Sequence, residues 1–148
     1  MANKEIKVLI FCINDEYYAA DIMEIERILG FQEPTKLPDS PSFVDGVISY
    51  DGNILPVISL SKRFGLKENE RKNDSKIIVV KQDDNKFGIM VDVVSEVRDV
   101  FAKDIENPPD IIAGISRRYI KGLIKIDEKI VIFLNLETIL TEEEKNLI

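Results

Sequence analysis

The chain has no histidine, no tryptophan and a single cysteine, Cys12. Histidine is the commonest general base and zinc ligand, so catalytic and metal chemistries lose their usual carrier. No cofactor and no metal are expected. One cysteine excludes an intramolecular disulfide, and a cytoplasmic location is expected. Cys12 lies in the apolar run "VLIFCI" and reads as a small buried hydrophobe, because a reactive thiolate needs a basic, partly exposed setting. The glycines are scattered and form neither GxGxxG nor GxxxxGK, so no phosphate loop is written here. No apolar run approaches the ~18 residues of a membrane helix. The N-terminal "MANKEIKVLIF" is too short in apolar residues for a secretory signal. Positive charge is also short. Twenty Lys and Arg face 27 Asp and Glu, for a formal net charge of −7. A nucleic-acid partner needs a basic, aromatic-studded face, and aromatics are only 7% here. The densest basic group, Lys62–Arg63 with Lys67, Arg71 and Lys72, reads as solvated surface.

What is present is a repeated pattern of short apolar runs. With 148 residues, 45% of them hydrophobic, the chain suits one domain or two small lobes sharing a core. Gly46–Leu60, "GVISYDGNILPVISL", aligns without a gap on Gly122–Leu136, "GLIKIDEKIVIFLNL", 76 residues later. Lys7–Ile28 aligns on Lys76–Val97, 69 residues later, with polar turns at Asn14–Glu16 and Asp83–Asn85. The difference between the shifts places an insertion between about Val100 and Lys121, where "NPPD" is a breaker cluster. Strands at short intervals favour two small β-barrel lobes over alternating βα units.

Local signals refine this. Asp51-Gly52 between β-branched runs marks a hairpin. Pro56 cannot donate to a ladder, so the first barrel should be open or bulged where the second, with Ile132, is not. Asp21–Leu29 has helical spacing, yet its repeat partner is strand-like; a strand with a helical or irregular end is expected. Ser61–Leu66 should form a short turn, and Glu137–Ile148 a terminal helix with Ile139, Leu140 and Leu147 facing the body. The acidic runs "NDE", "QDDN" and "TEEEK" read as turns and a helix start.

Three segments together resemble the CheW family of chemotaxis coupling proteins and the homologous regulatory domain of the CheA kinase. They are Leu37–Leu60, "LPDSPSFVDGVISYDGNILPVISL"; Gly88–Val97, "GIMVDVVSEV"; and Gly122–Leu140, "GLIKIDEKIVIFLNLETIL". The resemblance implies a mostly β fold of two SH3-like five-stranded barrels around a shared apolar core, with a C-terminal helix. Residues 1–148 would be one CheW-like domain, with lobes at about 14–74 and 75–148 and the N-terminal strand 6–13 joining the second. It implies no catalysis. The partners would be the cytoplasmic tip of a methyl-accepting chemoreceptor and the regulatory domain of a CheA-type histidine kinase, with no nucleic acid and no membrane insertion. A chain without phosphotransfer, ATP-binding or receiver segments looks like the adaptor. The alternative is a CheW-like scaffold serving a different receptor or kinase pathway. Carried over, the receptor groove falls on Leu9, Ile22, Ile25, Ile28 and Val94, with Ile25 and Val94 at equivalent repeat positions. Phe31 and Phe43 are candidate kinase contacts. The family's usual arginine is Asp51 here, and its Glu partner is Arg27, so the two are expected to face each other as a charge-swapped pair near the groove.

Overall fold

The computed structural model describes residues 4–67, 74–82, 84–109, 111–112 and 114–147. Arg71, Lys72, Asp83, Asp110 and Ile148 lie outside the described residues, as does the side chain of Leu147. The first repeat contains β1 (Glu5–Ile13), β2 (Glu16–Asp21), β3 (Ile25–Gly30), β4 (Val44–Tyr50), β5 (Asn53–Ile58) and a short helix α1 (Leu60–Arg63). The second opens with β6 (Lys76–Gln82), β7 (Asn85–Val91) and β8 (Val93–Phe101). The inserted segment follows, with β9 (Ile105–Glu106), β10 (Ile111–Ile112) and β11 (Ile115–Ser116). β12 (Ile120–Ile126), β13 (Lys129–Leu134) and helix α2 (Glu142–Leu147) complete it.

The two repeats exchange their opening hairpins. One sheet has the order β8-β1-β2-β13-β12-β9, the other β3-β6-β7-β5-β4. Apart from β9, the order of the second sheet is that of the first with each strand replaced by its repeat counterpart. The lobes therefore do not divide at residue 74. β6 and β7 complete the first lobe, and β2 belongs with β1 in the second. Burial follows the same division. Along β1, Val8 and Ile10 enter the second lobe's own core, while Leu9, Phe11 and Ile13 face a core shared by both lobes. Along β6, Ile77 and Val79 enter the first lobe's core, and Ile78 and Val80 the shared one. A strand apolar on both faces is stable only between two layers, so each opening strand lies between one lobe's own core and the shared one.

Each sheet closes on itself through its bent outer strand. After β3 the chain returns so that Thr35 pairs with Val47 of β4. After β8 it returns as β9, pairing Glu106 with Leu123 of β12, the counterpart of Val47. Among the described residues, three hairpins turn through pairs of residues with positive φ: Asn14-Asp15, Asp51-Gly52 and Asp127-Glu128. Positive φ at both central residues is the type I′ geometry whose twist matches the strands. Pro56 has the expected effect. The parallel β5–β7 ladder starts at Val57↔Gly88, whereas the equivalent β13–β2 ladder includes Ile132↔Tyr18, one residue earlier. Asp21–Leu29 has an irregular start, a 3-10 turn at Ile22–Glu24 capped by the Asp21 carboxylate, and then β3. The expected terminal helix is split into a 3-10 turn at Leu136–Thr138 and α2. Ile139 and Leu140 are buried as expected.

Candidate functional site

Apart from Leu37, in the connection between β3 and β4, the exposed large apolar side chains mark two kinds of place. Met23, Ile28, Val93, Val97 and Phe101 lie on the segments of β3 and β8, the outer strands of the two sheets. Ile54 and Ile130 lie just after the β4–β5 and β12–β13 turns.

The five groove residues expected from sequence take three different positions. Ile22, Ile25 and Val94 are half-buried and pack against the shared core, so they sit at its rim from both lobes. Leu9 is 2% exposed and faces inward within that core. It is a floor beneath the rim and not a contact residue, because β1 is covered on both faces. Ile28 is exposed, pairs with Ile78 along β3 and lies outside the apolar clusters. Its counterpart 69 residues later, Val97, is also exposed. Val97 was missed in the sequence reading, although applying the 69-residue shift to Ile28, as to Ile25, finds it.

The expected Arg27–Asp51 pair does not form. Asp51 has φ +52 and is the first central residue of the I′ turn. Its carbonyl accepts from the Asn53 side chain at 3.3 Å. An aspartate tolerates the left-handed region, so the turn itself accounts for it. The Arg27 guanidinium stacks over the Tyr50 ring, 5.6 Å from its centroid. The neighbour of Arg27 makes the link to the hairpin instead. Tyr50 Oη donates to Glu26 Oε2 at 2.5 Å, and Lys86 Nζ lies 3.0 Å from Glu26 Oε1. These donors hold the Glu26 carboxyl below its ordinary pKa, the tyrosine hydroxyl contributing most, and the same bond raises the pKa of Tyr50.

Phe43 does not offer an exposed anchor. It is 7% exposed, belongs to the shared core and carries the Arg63 guanidinium 4.5 Å above its ring. Phe31 is half-buried against the first lobe's core. Ile54, 75% exposed, and Ile130, 62% exposed, are far better placed for contact. They are the same residue at equivalent repeat positions. The available signal was an isoleucine kept at a strand position that alternation points to solvent. Beside Ile54 is an open cavity of about 670 Å³ lined by Leu37, Pro38, Pro41, Pro56, Phe87 and Leu140, among others. Beside Ile130, Lys129 donates to Tyr17 Oη at 3.0 Å and lies over its ring.

The remaining chemistry is structural. Burial pushes the Cys12 thiol pKa up, the wrong direction for a nucleophile. Lys62 pairs with buried Asp45, and Arg63 with Glu144, so two of the basic residues are committed to internal pairs.

The family model for the CheW-like domain matches residues 7–144. The chain belongs to the CheW-like domain family. It is 36% identical over 143 residues to the chemotaxis protein CheW of Thermotoga maritima, covering 95% of this chain and 91% of that protein. It is 32% identical over 142 residues to the chemotaxis protein CheW of Helicobacter pylori, covering 95% and 86%. Its structure resembles that of the scaffolding protein TtCheW from Thermoanaerobacter tengcongensis, with a TM-score of 0.87, 33% identity and coverage of 95% and 91%. Membership of the CheW-like family makes this chain a non-catalytic, protein–protein adaptor of chemotaxis. Among the described residues no helix is long and apolar enough to cross a membrane.

Proposed function

We propose that this CheW-like chain couples the cytoplasmic tip of a methyl-accepting chemoreceptor to the regulatory domain of a CheA-type histidine kinase, in the cytoplasm and recruited to receptor arrays by protein contacts. The observation that carries the reading is the placement of Ile25 and Val94. They are repeat counterparts, half-buried at the rim of the shared core, one from each lobe. An apolar seam of this kind suits a helix presenting side chains at i, i+3/i+4 and i+7. Ile28 and Val97 extend the seam outward. Kinase domains would dock at the lobe ends, on Ile54 and Ile130. Two equivalent but non-identical ends allow each adaptor to touch two kinase domains, and contacts that do not close pairwise build extended assemblies.

The test is titration of a receptor-tip hairpin fragment and, separately, a kinase regulatory domain against Ile25→Asp and Val94→Asp. An unpaired carboxylate in an apolar contact should weaken receptor binding at least about tenfold, or ~1.4 kcal/mol. Kinase-domain affinity should stay near that of the parent. Unchanged receptor affinity in both variants, with native circular dichroism, rejects the seam. Loss of both affinities in folded variants rejects separate sites.

A further inference from the structure

The duplication gives most residues of one lobe a counterpart in the other, so a feature confined to one lobe needs a reason of its own. Glu26 is such a feature. On β3, Ile25 pairs with Val80 and Arg27 with Val79, which leaves Glu26 as the extra residue of a bulge. Its counterpart Ser95 is the extra residue of β8, between Val94↔Phe11 and Glu96↔Ile10. A bulge re-aims the side chain it carries. In the first lobe it delivers the Glu26 carboxylate to the Tyr50 hydroxyl and the Lys86 ammonium. Both Arg27 and Lys86 lie over the Tyr50 ring, at 5.6 Å and 5.9 Å from its centroid. In the second lobe the corresponding positions hold Ser95, Ile126 and Tyr17, so Glu26 has no carboxylate counterpart and Tyr50 no phenol counterpart.

The placement of this cluster is specific. Glu26 follows Ile25 and precedes Ile28 on β3 by two residues, so it shares a strand with the seam. Tyr50 is the last residue of β4, and Asp51-Gly52 leads from it into Asn53 and Ile54. Lys86 reaches in from β7, which also joins this sheet. The cluster therefore ties β3 to the hairpin that carries Ile54.

We propose that Glu26, Tyr50 and Lys86 are positioning residues that fix the β4–β5 hairpin against β3, so that an occupant of the seam at Ile25 and Ile28 is felt at Ile54. The transmission rests on the receptor and kinase reading above; the positioning does not. A hydrogen bond to a charged acceptor, held beside a buried ring, is stiffer than apolar contact alone. The second lobe is tied differently: Arg98 of β8 donates to the Asp127 carboxylate at the exposed β12–β13 turn, with no tyrosine between them.

Hydrogen exchange and titration on the full chain test the two parts. Tyr50→Phe keeps the ring and removes the donor. Amide exchange at Ile25–Ile28 and at Asn53 and Ile54 should quicken at least about threefold, with Lys129 and Ile130 unchanged. No change, or the same change in both hairpins, overturns the positioning. In titrations of the unaltered chain, receptor-tip fragment and kinase regulatory domain should alter each other's Kd at least about fivefold, the low end of ordinary coupling. Tyr50→Phe and Glu26→Gln should bring that factor to within about twofold of one, while Lys86→Arg, which keeps a cation on Glu26, should retain it. An equal factor in Tyr50→Phe and the unaltered chain, or none in the latter, overturns the transmission. Failure of the unaltered chain to bind the receptor fragment removes the seam reading and the transmission with it, and exchange alone then decides the positioning.

Discussion

Gly46 and Gly122 occupy the same position in the two repeats, and each lies where a lobe closes. A Cβ on Gly46 would fall 2.4 Å from the Thr35 carbonyl oxygen and 2.7 Å from its carbon. A Cβ on Gly122 would fall 2.4 Å from Ile105 Cγ2 and 2.8 Å from the Glu106 carbonyl oxygen. In both, the ladder shifts register at the glycine, and the returning strand passes over the gap. Gly46 also has φ +145. Backbone cannot yield as a side-chain tip can, so the two sites differ. Gly46→Ala should cost roughly 3 kcal/mol or more, from overpacking and the backbone penalty together. Gly122→Ala should cost about 1–3 kcal/mol, since Ile105 can turn aside in part. Gly30→Ala, with nothing within 4 Å, is the control and should be near neutral. Urea-denaturation midpoints at constant m-value read all three.

At the scale of elements, the joint between α1 and α2 is the clearest device. Arg63 of α1 holds Glu144 of α2 through two bonds, at 2.9 Å and 2.7 Å. Its guanidinium also lies 4.5 Å from the Phe43 ring centroid and 5.6 Å from that of Tyr119. Thr141 and Glu144 cap the helix reciprocally: the Glu144 amide donates to Thr141 Oγ1, and the Thr141 amide to Glu144 Oε1. A helix this short has little stability of its own, so these contacts hold it. The pair is mostly shielded, with side chains 12% and 21% exposed. Arg63→Met should cost about 2–3 kcal/mol, below the 3–5 of a fully buried pair. The pH dependence has a definite sign. Burial pushes the Glu144 carboxyl up, but the Thr141 amide and Arg63 outweigh it, and its pKa is lowered. A lowered carboxyl contributes stability above its unfolded pKa, about 4.3, and loses it as pH falls through the folded value. α2 should therefore loosen in acid below about pH 4, seen as faster amide exchange at Lys145 before β1 or β6 is affected. Arg63→Met should weaken that acid response, since the Thr141 amide still bonds the carboxylate.

The whole molecule is defined by the exchange of hairpins. Neither repeat contains a complete lobe, since β1 and β2 complete the sheet of the second repeat and β6 and β7 that of the first. The shared core draws on both, from Leu9 and Phe11 to Ile78 and Val80. Cutting the chain after residue 74 should leave two fragments that are each unfolded alone by circular dichroism. Mixed at equal concentration they should recover the native spectrum. A fragment that folds alone would show that one repeat can satisfy its own sheet. For an adaptor this arrangement has a use: the proposed seam between the lobes runs beside the shared core, so its two sides cannot drift apart without opening that core.

Much of this was written in the sequence itself. The two residue shifts give the duplication, the I′ turn residues give the hairpins, and the doubly apolar runs "VLIFCI" and "IIVV" show strands covered on both faces. Pro56 announced that the β5–β7 ladder would start beyond it, because a missing amide is a local property. The place of Ile25 and Val94 at equivalent positions follows from arithmetic on the repeat. The family resemblance placed strand 6–13 in the second lobe, but tertiary structure alone decided that β2 would go with it and that β6 and β7 would serve the first, since an apolar face has no preference between two equally apolar cores. It decided that Leu9 would be floor and Phe43 core, because pattern fixes which face a residue takes but not what covers that face. It also replaced the expected Arg27–Asp51 pair with Glu26, Tyr50 and Lys86. One bulged residue on β3 changed where the carboxylate points, and a bulge arises from pairing between distant strands that no local spacing records.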